Sequence, residues 1–142
     1  MCTERALGLG HHVRFVGWVD PAEVPAWLRA ADVVVAPSRT APDGWAEAQG
    51  LSIVEAMAAG RPVVASDSGG IGDAVEHEVT GLVNGEGRVA RLPDAIRRLH
   101  ADPALARRLA EAGRSRAVER FSADASADAF SALFTDLIGR RS

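Results

Sequence analysis

Two carboxylates, Glu47 and Glu55, stand either side of Gly50, and the stretch between them has the makings of an anion site. Glu47 precedes a glycine turn, and Glu55 falls inside the helix expected from about Leu51 to Ala59. Gly60 ends that helix just before the apolar run from Pro62 to Ala65. The first turn of a helix leaves amide hydrogens unpaired and carries partial positive charge, so a diphosphate is favoured near Gly50 to Ile53. Gly50 has no side chain to obstruct it. A carboxylate can accept two hydroxyls at once. The arrangement therefore suits a ligand with an anionic centre and hydroxyl-rich ends, as a nucleotide sugar has. Each residue alone also has a plain reading: Glu55 as a solvated helix residue, Glu47 as a loop carboxylate like Asp43, Ser52 as part of an ordinary first turn.

The elements that must position these groups alternate along the chain. Val13 to Val16 is a short apolar run read as a strand closed by Gly17. Asp20-Pro21-Ala22-Glu23 carries a cap, a proline at the first helical position and a glutamate three residues after the cap, with Val24, Trp27 and Leu28 at helical spacing. Asp32 to Pro37 holds three consecutive valines, the pattern of a buried parallel strand. Residues 38–49 form a polar loop, and the Leu51 helix and Pro62–Ala65 strand follow. Ser66 to Gly70 reads as a flexible turn, Ile71 to Val75 as a short helix and Gly81 to Val83 as a further strand. From Arg88 onward the pattern is helical. Leu92, Ala95, Ile96 and Leu99 make one stripe, and Asp102-Pro103 restarts a helix with Leu105, Leu109 and Ala112 inward. Ser122 can cap a last helix carrying Ala129, Phe130, Leu133, Phe134, Leu137 and Ile138. Met1 to Leu9 reads as the end of a helix stopped by Gly10. Strands alternating with helices predict an α/β fold with a Rossmann-like, doubly wound parallel sheet and a helical C-terminal tail. Ligands on such sheets sit outside the strands' carboxyl ends, where the loops at 17–20, 37–50 and 66–70 are expected to gather.

The run from Glu47 to Ala65, with Glu-x7-Glu followed by Ala-Met-Ala-Ala-Gly-Arg-Pro-Val-Val-Ala and the later Gly69-Gly70, resembles the donor motif of retaining glycosyltransferases of the GT-B fold, notably family 4. The resemblance extends upstream to Val13-Arg14-Phe15-Val16-Gly17 and to Ala31 through Ser38, and downstream to Val79-Thr80-Gly81-Leu82-Val83. It implies that residues 1–142 are part of the C-terminal, nucleotide-sugar-binding half of a GT-B enzyme, a fragment whose N-terminal acceptor domain is absent. It implies that Glu47 contacts sugar hydroxyls and stabilises charge at the reacting carbon. The amides near Leu51 and Ser52 would meet the donor phosphates, and Glu55 would take the ribose diol. By the same resemblance the loop of Gly17 and Trp18 lines the nucleobase, while Ser38 and Arg39 border the base or phosphates; packing and plain exposure are the bland readings of Trp18 and Arg39. Gln49 stands where the family most often has an aromatic residue. Asp73, where a glutamate commonly follows the Gly-Gly, is equally readable as a helix-start residue.

Composition sets outer limits. At 142 residues, 47% hydrophobic and 25% charged, the chain is ordinary for one soluble domain. A net charge of −3 offers no electrostatic case for nucleic acid or an anionic membrane. No apolar run approaches the roughly 18–20 residues that span a bilayer, and the N-terminus lacks the layout of a signal peptide. The single cysteine, Cys2, precludes an internal disulfide framework and fits a reducing cytosol. The expected location is the cytoplasm, with a peripheral place at the inner membrane face open to a full-length enzyme. His11, His12, His77 and His100 have no metal-ligand spacing with Cys2, so no metal site is expected. Gly69-Gly70 lacks the spacing and lysine of a nucleotide fingerprint. No Ser-His-Asp set is discernible.

The implied reaction is transfer of a sugar from a nucleoside-diphosphate sugar to an alcohol acceptor with retention, needing no cofactor beyond that donor. The isolated chain is expected to be inactive. Competing readings are an epimerase or phosphorylase on the same fold, a free-standing nucleotide-sugar-binding module, and, more remotely, a flavodoxin-like regulator. In intact GT-B enzymes the C-terminal helix crosses to the other domain. Phe130, Phe134 and Leu137 would lose that cover here, so a homodimer or helix exchange through this helix is expected.

Overall fold

The computed structural model describes residues 8, 9 and 11–140. Its centre is a parallel three-stranded sheet in the order β1-β2-β3, formed by Val34–Ala36, Val63–Asp67 and Leu82–Gly85. Val34, Val35 and Ala36 lie opposite Val63, Val64 and Ala65, and Val64 through Asp67 lie opposite Leu82 through Gly85. The helices are α1 (Val24–Ala30), α2 (Leu51–Ala58), α3 (Ile71–Ala74), α4 (Leu92–Ala101), α5 (Pro103–Phe121) and α6 (Ala123–Gly139), with a 3-10 turn at Val89–Arg91.

Strand alternation divides the core in two. Val63 and Ala65 face Ile53, Ala56 and Met57 of α2, with Ile71, Ala74 and Ala117 completing that layer. Val64 faces the other way, onto Leu82, Leu92, Ala95, Leu99, Leu105 and Leu109. Because β2 is covered on both faces it reads as a continuous apolar run, as central parallel strands do. Val63, Val64, Met57 and Leu109 are fully buried, and burial of a side chain of this size is worth about 1.5–3 kcal/mol. The expected α/β architecture with helices on both faces is the one observed.

Several local expectations need correction. Val13–Val16 is not a strand: Val13, Phe15 and Val16 are 40%, 65% and 42% exposed. No strand among the described residues pairs with this segment, and an extended run becomes a strand only by sharing a ladder. The β1 strand is three residues long and half-buried rather than fully buried, because it is an edge of the sheet. Asp20 bonds the Ala22 amide at 2.9 Å but closes a preceding turn; the helix itself starts after Glu23, with Pro25 in its first turn. Trp27 is exposed on α1, and Ile96 is exposed on α4, off the buried stripe. Ser66 to Ser68 is not a flexible turn: β2 continues to Asp67, and Ser66 and Ser68 are buried. The helix expected over 1–9 lies almost wholly outside the described residues. The two later caps hold. Asp102 Oδ1 accepts from the Leu105 amide at 2.9 Å, and Ser122 Oγ accepts from the Ala125 amide at 3.1 Å.

Candidate functional site

The site assembles where the loops after β1, β2 and β3 meet. Glu47 sits at its centre, half-buried. Its Oε1 accepts from the Gly50 amide at 3.2 Å, and its main-chain carbonyl accepts from the Gly70 amide at 2.8 Å. The side chain therefore folds onto the start of α2 while the backbone is fastened to the loop after β2. Gly69 and Gly70 make this possible, since a Cβ on Gly69 would lie 2.0 Å from the Glu47 carbonyl oxygen and one on Gly70 1.9 Å from that of Ala48. On the other side, the Glu86 carboxylate just beyond β3 accepts from both the amide and the hydroxyl of Thr40 in the loop after β1. The loops at 37–50 and 66–70 thus gather as expected.

Gly50 is the N-cap of α2 with φ 68, the left-handed region in which only glycine is unstrained. Both the Ile53 and Val54 amides bond the Gly50 carbonyl, at 2.8 and 3.1 Å, and Gly50's own amide is taken by Glu47. That leaves Leu51 and Ser52 as the first-turn residues whose amides have no hydrogen-bond partner among the described residues. Both residues are exposed, whereas Ile53 is buried with its side chain in the core. An open pair of amides at the positive end of a helix is a place for an anion.

Glu55, one turn further on, is exposed and lines a hollow of about 300 Å³ between α1 and α2. The rest of that lining is Pro21, Val24, Pro25, Leu28, Arg29, Ala58 and Ala59. One carboxylate against a mostly apolar wall suits a ring with a hydroxylated edge. Gly17 and Trp18 lie upstream of Pro21; Trp18 is 81% exposed, and no hydrogen bond among the described residues ties this loop to Glu47–Ile53. Ser38 is half-buried just beyond β1, Arg39 is exposed, and Gln49 is exposed beside Gly50. Asp73 is exposed in the short α3, and its carbonyl accepts from Arg116 at 2.8 Å. Among the described residues no three His, Cys, Asp or Glu side chains gather to hold a metal ion, and no helix is long and apolar enough to cross a membrane.

Sequence reading missed three features of this site. The apolar wall from α1 was read only as a helix face. The Thr40–Glu86 clasp joins residues 46 apart, and no local pattern announces such a pair. Ser68, 1% exposed, has a hydroxyl without a partner among the described residues; its position before Gly69-Gly70 was the available hint.

Comparison with known proteins gives the family and the fold. The family described as glycosyl transferases group 1 matches residues 2–116. The GDP-mannose-dependent alpha-(1-6)-phosphatidylinositol monomannoside mannosyltransferase of Mycobacterium tuberculosis is 43% identical over 109 residues, covering 75% of this chain and 28% of that protein. Among solved structures, sucrose-phosphate synthase from Thermosynechococcus elongatus superposes with a TM-score of 0.82 at 36% identity, over 96% of this chain and 33% of the other. Anabaena HepE in complex with UDP superposes with a TM-score of 0.83 at 32% identity, over 94% and 35%. The fold and its motif define the GT-B glycosyltransferase class. Within it, this chain belongs to the glycosyl transferases group 1 family. It spans about a third or less of the length of these relatives.

Proposed function

We propose that this chain is the donor-binding part of a glycosyltransferase that moves a sugar from a nucleoside-diphosphate sugar to an alcohol acceptor with retention. The acceptor-binding domain is assigned to a part of the parent protein outside residues 1–142. The observation that carries the reading is the pair of amides at Leu51 and Ser52, without hydrogen-bond partners among the described residues and flanked by Glu47 on one side and Glu55 on the other. Family relatives act on GDP-mannose and hold UDP by name, which supports a nucleotide-linked donor.

In this proposal the diphosphate lies over the first turn of α2, with the Leu51 and Ser52 amides rather than a metal ion as its donors. Negative charge grows on the leaving diphosphate as the bond to the sugar breaks, and fixed donors aimed there lower the barrier. Gly50 lets the diphosphate approach, and Ile53 anchors the helix beneath it. Glu47 faces the sugar and stabilises the positive charge that develops at the reacting carbon. The leaving phosphate can take the acceptor's proton, so no protein base is assigned. Glu55 takes the ribose hydroxyls at the mouth of the α1–α2 hollow, with the loop of Gly17, Trp18 and Val19, together with Ser38, on the nucleobase side. We also propose that the exposed apolar face of α6 pairs with a second copy when the rest of the parent protein is absent. The activity is placed in the cytoplasm.

Calorimetric titration of the chain with UDP, GDP and ADP tests the reading. One nucleotide should bind saturably, and Glu55→Ala should weaken it about tenfold or more, since a hydrogen bond to a charged group is worth about 1.5–3 kcal/mol. Undiminished binding by the variant would remove Glu55 from the site.

A further inference from the structure

The loop that carries Glu47 also carries an indole with no place in the core. Trp45 is 66% exposed, yet its backbone is held firmly. Its amide donates to Asp43 Oδ1 at 3.1 Å, and its carbonyl accepts from the Ala41 amide at 2.7 Å. The Gly44 amide closes the same turn onto Ala41 at 2.9 Å. Two residues later Glu47 is fixed to Gly50 and Gly70, so the backbone that carries the indole is held on both sides. Consecutive residues advance by at most about 3.6 Å, which keeps the Trp45 and Glu47 backbones within about 7 Å of each other.

Trp18 and Trp27 are also exposed, at 81% and 45%, but neither shares this setting. Trp18 sits beyond the unpaired Val13–Val16 segment, and Trp27 lies on the surface of α1. A large flat apolar surface with one polar N–H edge, held out on an ordered turn near the Glu47 carboxylate, matches a pyranose ring: C–H groups on its face and hydroxyls around its rim. Resting on the donor reading above, we infer that Trp45 is a carbohydrate platform on which a pyranose ring stacks while its hydroxyls reach Glu47. The ring belongs either to the donor's sugar or to a carbohydrate acceptor. Trp45 thus sets which sugars are accepted, while the amides of α2 recognise only the diphosphate.

The test is a ¹⁵N–¹H spectrum of the chain, with the three indole N–H signals assigned by Trp→Phe substitution at each position. UDP, UDP-glucose, GDP, GDP-mannose and a methyl pyranoside are titrated separately. Trp45 as a donor-sugar platform predicts that its indole signal moves with a nucleotide sugar but not with the matching nucleotide. Movement with the free pyranoside assigns the acceptor side instead. Trp45→Ala should weaken the sugar-bearing ligand about fivefold and leave the nucleotide unchanged, with Trp45→Phe restoring most of the loss. If nucleotides shift the α2 amides while no carbohydrate moves the Trp45 signal, the platform is overturned and the donor site stands. If the pyranoside moves Trp45 but no nucleotide binds, the platform stands and the donor reading falls. Silence at Trp45 with every ligand, or equal shifts at all three indoles, overturns the platform.

Discussion

The main-chain carbonyl of Glu47 accepts the Gly70 amide at 2.8 Å, and a Cβ on Gly70 would come within 1.9 Å of the neighbouring Ala48 oxygen. The loop bearing the candidate catalytic carboxylate therefore lies directly on the backbone of the loop after β2. Gly70 has φ −80, an angle any residue tolerates. Its requirement for glycine thus comes from contact alone, and Gly87 supplies the contrast, with φ 73 and nothing within 4 Å of an added Cβ.

Gly70→Ala should accordingly destabilise the chain by about 1–3 kcal/mol or more, because carbonyl backbone cannot move aside as a side chain would. Gly87→Ala should cost about 1–2 kcal/mol from left-handed strain alone. Urea unfolding midpoints measure both. Only the Gly70 variant should also lose nucleotide affinity, since only it lifts the Glu47 loop.

Acid should act on the Glu78–Arg98 pair. The hydrogen bond from Arg98 and its charge hold the Glu78 carboxyl below the ordinary value of 4.5. A carboxylate with a lowered folded pKa contributes stability above its unfolded pKa and loses it as pH falls through the folded one. The contribution is therefore complete at neutral pH and lost from about pH 4.5 downward. Stability measured against pH should fall less steeply below that point in Glu78→Gln. The pair is solvent-exposed, so its effect should shrink in high salt. Identical acid limbs for the two proteins would show that the pair contributes nothing.

The face of α6 should drive self-association. Phe130, Leu133, Phe134, Leu137 and Ile138 are 61%, 51%, 58%, 49% and 69% exposed, and Phe130 stacks on Phe134 at 6.4 Å between ring centres. An apolar stripe of that extent along one helix seeks cover. Sedimentation equilibrium should show a concentration-dependent dimer that Phe134→Glu converts to monomer. A monomer mass at every concentration would count against it.

Much of this architecture was legible in the sequence, for reasons particular residues make plain. Val63-Val64 announced a parallel strand because β2 is covered on both faces, and Val33-Val34-Val35 did so because alternate residues there pack partly against each of the two core clusters. Asp102 and Ser122 announced helix starts because a cap bonds an amide three residues away. Such local interactions leave a local signal. Val13–Val16 misled because apolar content gives a strand's propensity without its partner. Ser66 to Ser68 misled because Ser and Asp usually mark turns, whereas here β3 pairs with Ser66 and Asp67. At the site, the Glu47-x7-Glu55 spacing brought out both carboxylates and Gly50. The fastening of Glu47 to Gly70 and of Thr40 to Glu86 depends on how three loops converge, which no spacing encodes. The amides of Leu51 and Ser52 were already indicated by the resemblance; what no spacing shows is that Glu47 takes the Gly50 amide while the Gly50 carbonyl takes those of Ile53 and Val54.

Whether the first turn of α2 holds a donor diphosphate is decided by a crystal structure of the chain with its tightest-binding nucleoside diphosphate. That placement requires phosphate oxygens within hydrogen-bond distance of the Leu51 and Ser52 amides and the ribose hydroxyls on Glu55. A nucleotide bound elsewhere, with those two amides left open, would contradict it.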